Sequence, residues 1–279
     1  MAAPAWSHRA QAACALVRRR PMAFHGGMTS TDQTRTVLIT GSTSGIGAAT
    51  ALTLASQGWH VLVTGRDAFR GQKVVSDIER AGGRAVFLPS DLTAAPDQLR
   101  HFAQAATSAA GGVLDAVVHN AAVCPAVDTV SLTDTDLDAA LAVNIRAPHV
   151  LTAALAPAMA ARGRGAIVVI GSWMAHVGHP FVGLYSATKA AEIQLARSWA
   201  AEFGPRGVRV NTVSPGASRT PINDDSSEVI AAMTSGIPAG RPGAPGEIAD
   251  AVAWLLSDGA GYLHGAELAV DGGITATRA

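Results

Sequence analysis

From Thr36 onward, seven short apolar runs rich in β-branched residues alternate with longer segments rich in Ala and Leu. The runs are residues 37–40, 60–64, 85–89, 114–119, 166–170, 208–213 and 266–270. Helical segments lie between nearly all of these runs, and strands joined by helical crossovers form a parallel sheet covered on both faces. The sequence therefore predicts an α/β fold with a doubly wound parallel sheet of about seven strands.

The alternation continues without a second change of composition, so we predict one dinucleotide-binding catalytic domain over residues 35–279. Residues 1–34 differ, because residues 18–20 are all Arg and no acidic residue precedes Asp32. We interpret this segment as a disordered extension or as the result of a mis-assigned start. A transit peptide is the alternative, since Arg-rich and acid-poor segments can have that role.

The composition of the chain argues against nucleic-acid and membrane partners. Apolar residues make up 48% of the chain and charged residues 15%, the formal net charge is zero and the pI is about 7.1. These values predict a folded core and no nucleic-acid partner. Cys14 and Cys124 are too few for a disulfide framework, so we expect a reducing, cytoplasmic location. We expect no membrane partner, because no apolar run looks long enough to span a bilayer.

The first predicted strand leads into a glycine-rich turn that reads T-G-S-T-S-G-I-G over residues 40–47, and then into a helix. Glycine permits a tight turn and close backbone approach to a ligand. The helix N-terminus offers free N–H groups and a positive dipole end to a diphosphate. Such a turn can be a turn and nothing more. After the first strand of an α/β alternation, however, it is typical of the nucleotide site of a Rossmann-type fold.

The end of the second predicted strand reads Gly65-Arg66-Asp67. Dinucleotide folds bind the adenosine ribose here, where an acidic residue favours the 2′-hydroxyl of NAD and an Arg favours the 2′-phosphate of NADP. A guanidinium can bind phosphate through two hydrogen bonds. We therefore predict NADP(H) as the preferred cofactor, with NAD(H) possible. The alternative is a solvated Arg66 followed by Asp67 as an ordinary helix N-cap.

A hydroxyl, a phenol and an ammonium group are predicted to meet after the fifth strand. Tyr185 and Lys189 are four residues apart and would share one face of a helix, and Ser172 follows the run 166–170. A fixed cation lowers the pKa of a neighbouring phenol, so Tyr185 could transfer a proton near neutral pH. Taken alone, the spacing also fits a Tyr ring on a surface beside a solvated Lys.

Asn144 lies in the middle of a mostly apolar stretch that we predict to be helical. A buried amide is costly unless its hydrogen bonds are formed. Asn144 therefore indicates a specific contact, of which the simplest is a hydrogen bond to a neighbouring loop.

Together these motifs resemble the short-chain dehydrogenase/reductase family, in the compact single-domain branch that is similar to 3-oxoacyl-(acyl-carrier-protein) reductases. The resemblance covers about residues 35–275. It rests on residues 40–47, H-N-A-A at 119–122, Asn144, Ser172, Y-S-A-T-K at 185–189, S-P-G-A-S-R-T at 214–220 and A-V-D-G-G at 269–273.

The resemblance implies a role for each matching residue. Tyr185 would be the proton donor or base, Ser172 would hydrogen-bond the substrate oxygen, and Lys189 would bind the nicotinamide ribose. Asn144 would position a water that links Lys189 to solvent. The other residues implied to bind the cofactor are Gly41, Ser42, Thr43, Ser44, Gly45, Ile46 and Gly47 at the diphosphate, Asp91 and Leu92 at the adenine, Asn120, Ala121 and Ala122 by the adenosine ribose, and Pro215, Gly216, Ser218 and Thr220 by the nicotinamide.

Three positions depart from the family pattern. The family usually has N-N-A-G where this chain has H-N-A-A, so His119 replaces an Asn and Ala122 adds a methyl group near the cofactor. Ser218 stands where a branched apolar residue is common. These departures bear on cofactor geometry and leave the predicted class of activity unchanged.

The segment between Ser172 and Tyr185 borders the substrate in this family. Here it contains Trp173, Met174, His176, His179, Pro180, Phe181 and Leu184. An apolar and aromatic lining suits a hydrophobic ketone or secondary alcohol, although these side chains could also pack on a loop or a second subunit. We expect no metal site at the two histidines. We predict a mobile flap over the substrate at residues 221–240.

We therefore predict an NAD(P)-dependent oxidoreductase. The alternatives are a nucleotide-sensing binding protein with vestigial chemistry and a lyase or dehalogenase relative. A sensing protein would tolerate loss of Ser172, Tyr185 or Lys189, and a dehalogenase typically lacks the glycine-rich turn or the Lys, yet all are present. By resemblance, two long Ala-rich helices, predicted over 132–162 and 184–203, would pair between subunits of a homotetramer or dimer.

Overall fold

The computed structural model describes residues 34–220 and 227–277, in which the seven predicted strands form one parallel sheet. The strands are β1 Thr36–Ile39, β2 His60–Gly65, β3 Arg84–Pro89, β4 Ala116–His119, β5 Gly165–Ile170, β6 Val208–Pro215 and β7 Glu267–Val270. Their order across the sheet is β3-β2-β1-β4-β5-β6-β7. The predicted Rossmann-type architecture is confirmed, and the strand bounds differ from the predicted ones by at most two residues. Residues 1–33 of the predicted N-terminal extension lie outside the described residues.

Helices cover both faces of the sheet. They are α1 Gly45–Ser56, α2 Ala68–Arg80, α3 Pro96–Ala109, α4 Asp134–Leu141, α5 Ala147–Arg162, α6 Gly183–Phe203, α7 Ser227–Ser235 and α8 Pro245–Leu256. The stretch predicted as one helix over 132–162 consists of α4 and α5 joined by a π-helical turn, Ala142–Arg146. Such turns are rare and often occur at functional sites.

Alternating side chains of the strands divide the core into two layers. In β1, Leu38 belongs to a cluster with residues of α3, α5 and α6. Val37 and Ile39 point the other way and belong to a cluster with residues of α1, α2 and α8. All three side chains are fully buried, and each such burial is worth roughly 1.5–3 kcal/mol. The sheet is thus held between two helical layers.

The chain reverses its direction of travel across the sheet between β1 and β4, which are hydrogen-bonded neighbours with Leu38 opposite Val117. Crossovers leave these two strands toward opposite faces, so a crevice opens beyond their carboxyl ends. In open α/β sheets this is where ligands bind. The glycine-rich turn follows β1 and Asn120 follows β4, so both are placed at this crevice.

The helical stretch Asp134–Arg162 is long and apolar enough to cross a membrane by length and composition alone, with a mean hydropathy of 1.3. Our expectation that no apolar run reaches this length was wrong for this stretch. Here 56% of its apolar window is buried inside the structure, as in the core helix of a folded domain.

Candidate active site

A cavity of about 640 Å³ joins the ends of β1, β2, β4, β5 and β6. The sequence-predicted residues that line it are Gly41, Thr43, Ser44, Gly45, Ile46, Arg66, Asp91, Leu92, Asn120, Ala121, Ala122, Ser172, Tyr185, Lys189, Pro215, Gly216, Ser218 and Thr220. Ser42, Gly47 and Asn144 are not among the lining residues. Nearly all of the predicted site residues are therefore brought together at one place.

The glycine-rich turn is closed by contacts of its own. Gly41 and Gly45 adopt positive φ angles of 65° and 55°, which glycine allows without strain. The Ser42 hydroxyl donates to the Ile39 carbonyl at 2.8 Å and accepts from the Thr64 N–H at 2.8 Å. The buried hydroxyl of Ser42 thus ties β1 to β2, and the implied position of Ser42 along the diphosphate remains a prediction.

Gly47 allows the glycine-rich turn to pack closely against the end of β4. A Cβ added at Gly47 would lie 2.5 Å from both the Gly41 carbonyl oxygen and the Asn120 side-chain nitrogen. The Asn120 amide donates to the Thr40 and Gly41 carbonyls at 2.9 and 3.0 Å. Gly47 is thus required for the end of β4 to approach the turn, and its position facing the diphosphate remains a prediction.

Two arginines lie at the adenosine end of the cavity. Arg66 is exposed at the end of β2 and lines the cavity. Arg70 also lines it, but pairs with Asp67 at 2.7 Å. Asp67 is the N-cap of α2, accepting from the Arg70 N–H at 3.0 Å. Hydrogen bonds from Thr93 lower the pKa of Asp91, and the charge of Arg66 adds to that effect.

Ser172, Tyr185 and Lys189 meet beyond the end of β5. The Ser172 hydroxyl oxygen accepts from the Met174 N–H at 3.2 Å and caps a short 3₁₀ turn, Trp173–His176. Tyr185 lies in the first turn of α6 and Lys189 one turn later. The Lys189 Nζ donates to the Ile170 carbonyl at 2.8 Å and lies 5.8 Å from the Tyr185 ring centroid.

The pKa of Tyr185 is raised in this structure, which contradicts our expectation of a lowered value. Burial of the phenol is the largest cause. The charge of Lys189 lowers the pKa, as does a hydrogen bond with Ser172, but these effects do not outweigh burial. The spacing of Tyr185 and Lys189 correctly indicated the cation, whereas the desolvation of the phenol depends on the surrounding fold.

Asn144 makes the loop contact that we gave as its simplest interpretation. Its Oδ1 accepts from the Val123 N–H at 2.8 Å, and its Nδ2 donates to the Val123 carbonyl and the Thr188 hydroxyl, both at 2.9 Å. The amide therefore holds the loop after β4 against α6. The implied role in positioning a water beside Lys189 remains a prediction.

Sequence reasoning missed Glu192. This residue is buried in α6, and its Oε2 lies 2.7 Å from the Lys189 Nζ. The signal was available, because residues three apart share a helix face and Glu192 follows Lys189 by three. Burial raises the pKa of Glu192 to about 7, although Lys189 acts in the opposite direction. Burial alone would lower the pKa of Lys189, but Glu192 and Tyr185 reverse this and the pKa is raised.

Two of the departures from the family pattern have structural explanations. His119 is buried, with its Nε2 2.9 Å from the Thr152 hydroxyl and its ring centroid 6.0 Å from that of Trp199. Burial and the charge of Lys189 lower the pKa of His119 to about 3, so the ring is neutral and part of the core. The Ser218 hydroxyl donates to the Gly216 carbonyl at 3.1 Å.

The remaining wall of the cavity is mostly apolar. Of the predicted substrate-lining residues, Trp173, Met174, His179 and Phe181 line it, while His176, Pro180 and Leu184 do not. His176 instead lies 2.6 Å from a Glu267 carboxylate oxygen. The lining residues that we did not predict include Val123 and Cys124.

The predicted flap contributes part of this wall. Residues 221–226 of the flap lie outside the described residues. The rest contains α7, from which Val229, Ile230 and Met233 reach the cavity. Within 34–220 and 227–277, no group of three or more His, Cys, Asp or Glu side chains could hold a metal ion.

Comparison with known proteins places this chain among oxidoreductases. A family model described as enoyl-(acyl carrier protein) reductase matches residues 41–275. A 1-cyclohexenylcarbonyl-CoA reductase of Streptomyces collinus is 36% identical, covering 88% of this chain and 88% of that protein. A cyclohexanol dehydrogenase of Acinetobacter sp. is 35% identical, covering 89% of this chain and 98% of that protein.

Solved structures agree in fold. A short chain dehydrogenase/reductase family protein is 41% identical with a TM-score of 0.80, covering 87% of this chain and 98% of its own. A protein of Beutenbergia cavernae, provisionally assigned as an NAD(P)-dependent gluconate 5-dehydrogenase and holding NADP at low occupancy, is 35% identical with a TM-score of 0.82. That match covers 87% of this chain and 97% of the other.

Proposed function

Since this chain belongs to the short-chain dehydrogenase/reductase family of oxidoreductases, we propose that it transfers hydride between NADP(H) and a hydrophobic ketone or secondary alcohol. Tyr185 is the acid or base of this reaction. One observation carries the proposal: Ser172, Tyr185 and Lys189 line the same cavity as the glycine-rich turn. Proton-transfer groups and a dinucleotide-type turn thus share one continuous space.

The residues of the cavity fit a nicotinamide dinucleotide. Ser44, Gly45 and Ile46 line it at the N-terminus of α1, where free N–H groups favour a diphosphate. A Cβ on Gly41 would lie 2.9 Å from the Ala121 Cα, so a bare backbone is needed there. When bound, the cofactor supplies or accepts the hydride, and the protein supplies orientation and a proton.

Ser172, Tyr185 and Lys189 together provide the hydrogen-bond donors, the proton and the positive charge that carbonyl reduction requires. Negative charge develops on the carbonyl oxygen, and the Ser172 and Tyr185 hydroxyls stabilise it as two hydrogen-bond donors. Tyr185 gives up its proton to that oxygen. Lys189, which stays protonated because its pKa is raised, stabilises the phenolate that remains. Oxidation of an alcohol uses the same groups in reverse, with Tyr185 as the base.

The apolar wall supports a hydrophobic substrate. Trp173, Phe181, Ile230 and Met233 all line the cavity, and an apolar pocket with a few polar groups suits a small hydrophobic molecule. Both of the relatives described above are named for compounds with a six-membered carbon ring. We therefore propose a cyclic ketone or cyclic secondary alcohol as the substrate class.

Replacement of Tyr185 by Phe tests the mechanism. Cyclohexanone and cyclopentanone with NADPH, and the corresponding alcohols with NADP, serve as probes. We expect Tyr185→Phe to lower kcat at least ~100-fold while NADPH still binds. Tyr262→Phe is the matched control, because Tyr262 is the chain's other tyrosine and is fully exposed.

The outcomes separate the alternatives. Near-normal rates in Tyr185→Phe would remove Tyr185 from the proposed role. Cofactor binding without turnover of any probe would favour the nucleotide-sensing protein. Release of halide from a halohydrin without cofactor would favour the dehalogenase relative.

Cofactor preference is tested at Arg66. Its guanidinium is exposed at the cavity, whereas that of Arg70 pairs with Asp67. Charge-assisted hydrogen bonds are worth about 1.5–3 kcal/mol, so Arg66→Ala should weaken NADPH binding roughly 10–100-fold and leave NADH binding unchanged. Arg80→Ala, at the far end of α2, is the control. Titrations that follow reduced-nicotinamide fluorescence measure both, and equal losses for NADPH and NADH would refute the assignment.

We also propose that the protein is a cytoplasmic homotetramer in which α4, α5 and α6 form the contacts between subunits. Light scattering should then give four times the chain mass of 28.3 kDa. A monomer would refute this assembly, and twice the chain mass would support the dimer that we gave as its alternative.

A further inference from the structure

We propose that Glu192 is a positioning residue of this active site, whose carboxylate holds the Lys189 ammonium and offsets part of its charge. Glu192 thereby sets how strongly Lys189 stabilises the phenolate of Tyr185. This inference rests on the proposed role of Tyr185 and adds a fourth side chain to Ser172, Tyr185 and Lys189.

The geometry commits Glu192 to Lys189. Both side chains are only 1–2% exposed, and the Nζ–Oε2 distance is 2.7 Å. A lysine ammonium has three hydrogen-bond donors. Here the Ile170 carbonyl accepts one hydrogen bond, and the Glu192 carboxylate lies beside the same ammonium at ion-pair distance. Glu192 therefore helps to orient the Nζ as well as to balance its charge.

Besides the ion pair with Lys189, the Glu192 carboxylate has little to stabilise it. Among the described residues, neither of its carboxylate oxygens has a hydrogen-bond partner of good geometry. Burying an ionised carboxylate costs several kcal/mol unless pairing and hydrogen bonds compensate. Apart from Lys189, nothing described around Glu192 compensates in this way, so the carboxylate is not explained as a structural hydrogen-bonding group.

Among the ionisable groups described around Lys189, Glu192 is the one whose charge changes near neutral pH. Lys189 and Tyr185 face it from α6, with Cys124 on the loop after β4 and His119 at the end of β4 also close to the Lys189 charge. Burial raises the pKa of the Cys124 thiol, and that of His119 is about 3. Both are neutral around pH 7, where the pKa of Glu192 lies.

The direction of the effect follows from the signs of these charges. An ionised Glu192 makes the pair with Lys189 nearly neutral and itself raises the pKa of Tyr185. Glu192→Gln removes the negative charge and keeps the size of the side chain. The charge of Lys189 then acts on Tyr185 without opposition, and the phenolate becomes easier to form.

Fluorine NMR of the protein labelled with fluorotyrosine measures this directly. The chain has two tyrosines, so Tyr262→Phe leaves Tyr185 as the source of a single signal, and ring fluorine lowers the pH needed to ionise a phenol. We expect Glu192→Gln to lower the Tyr185 titration midpoint by about one pH unit, the lower end of the shift caused by a nearby charge. Glu202→Gln, which removes an exposed carboxylate from the same helix, should leave the midpoint unchanged.

The unaltered active site provides a second measurement in case Glu192→Gln fails to fold. With Glu192 present, the Tyr185 signal should show an additional inflection near pH 7, where Glu192 ionises, and the exposed Tyr262 should not. Equal midpoints for Glu192→Gln and Glu202→Gln, or a Tyr185 signal without that inflection, would overturn the proposal. The titration needs neither substrate nor cofactor. Turnover that survives Tyr185→Phe would therefore refute the proposed mechanism without changing this result.

Discussion

Glu192→Gln should alter how the stability of the protein depends on pH. The pKa of this carboxyl rises from 4.5 to about 7 in the folded protein, because burial outweighs the attraction of Lys189. A raised pKa means that the protonated form favours folding. The stabilising contribution of Glu192 is therefore fully present below pH 4.5 and is lost as the pH rises through about 7.

The size of this loss follows from the same two values. A shift from 4.5 to about 7, at 1.36 kcal/mol for each pKa unit, amounts to about 3 kcal/mol of unfolding free energy. Gln does not titrate, so the free energy of unfolding of Glu192→Gln should lack this loss. The difference between variant and parent should change by about 3 kcal/mol between pH 4.5 and 8.

The comparison must be made as a difference, because His119 has the opposite effect. Its pKa falls from 6.5 to about 3 on folding, so its contribution is present above pH 6.5 and is lost as the pH falls toward 3. Both proteins contain His119, and subtraction removes its effect. Urea unfolding followed by Trp fluorescence at several pH values gives the two curves. Parallel curves, whatever the constant offset between them, would refute the buried and perturbed state of Glu192.

Two further predictions concern the turn and the core. Gly47→Ala places a Cβ 2.5 Å from the Gly41 carbonyl oxygen, so we expect this variant to bind NADPH at least ~10-fold more weakly in calorimetry. In the control Gly246→Ala the new Cβ meets no atom within 4 Å, and this variant should bind NADPH normally. Leu62→Ala removes a fully buried side chain between the sheet and the helices, so we expect the free energy of unfolding in urea to fall by about 2–5 kcal/mol. A loss below about 1 kcal/mol, or one equal to that of Leu52→Ala at an exposed position, would contradict the described core.

Short-range patterns were sufficient to predict much of this protein. Strands of four to eight residues are visible as apolar runs because a strand buried on both faces admits few polar side chains. The spacing of Tyr185 and Lys189 predicted a shared helix face, and the glycine-rich turn predicted the position of the cavity, because helix geometry and backbone permissiveness are local properties. The alternation of strands and helices then determined on which edge these motifs meet.

What depended on contacts between distant residues could not be predicted in this way. The hydroxyl of Ser42 turned toward Thr64, because this partner comes from another part of the chain. For Asn144 the sequence indicated a loop contact, but only the structure identified Val123 as the partner. The pKa of Tyr185 has the opposite direction to the one that its neighbour Lys189 suggested, since desolvation is the sum of everything packed around the phenol. Glu192 shares a helix face with Lys189 by spacing alone. Only the layers of the fold that close over that face exclude water from the pair and make the carboxylate part of the site.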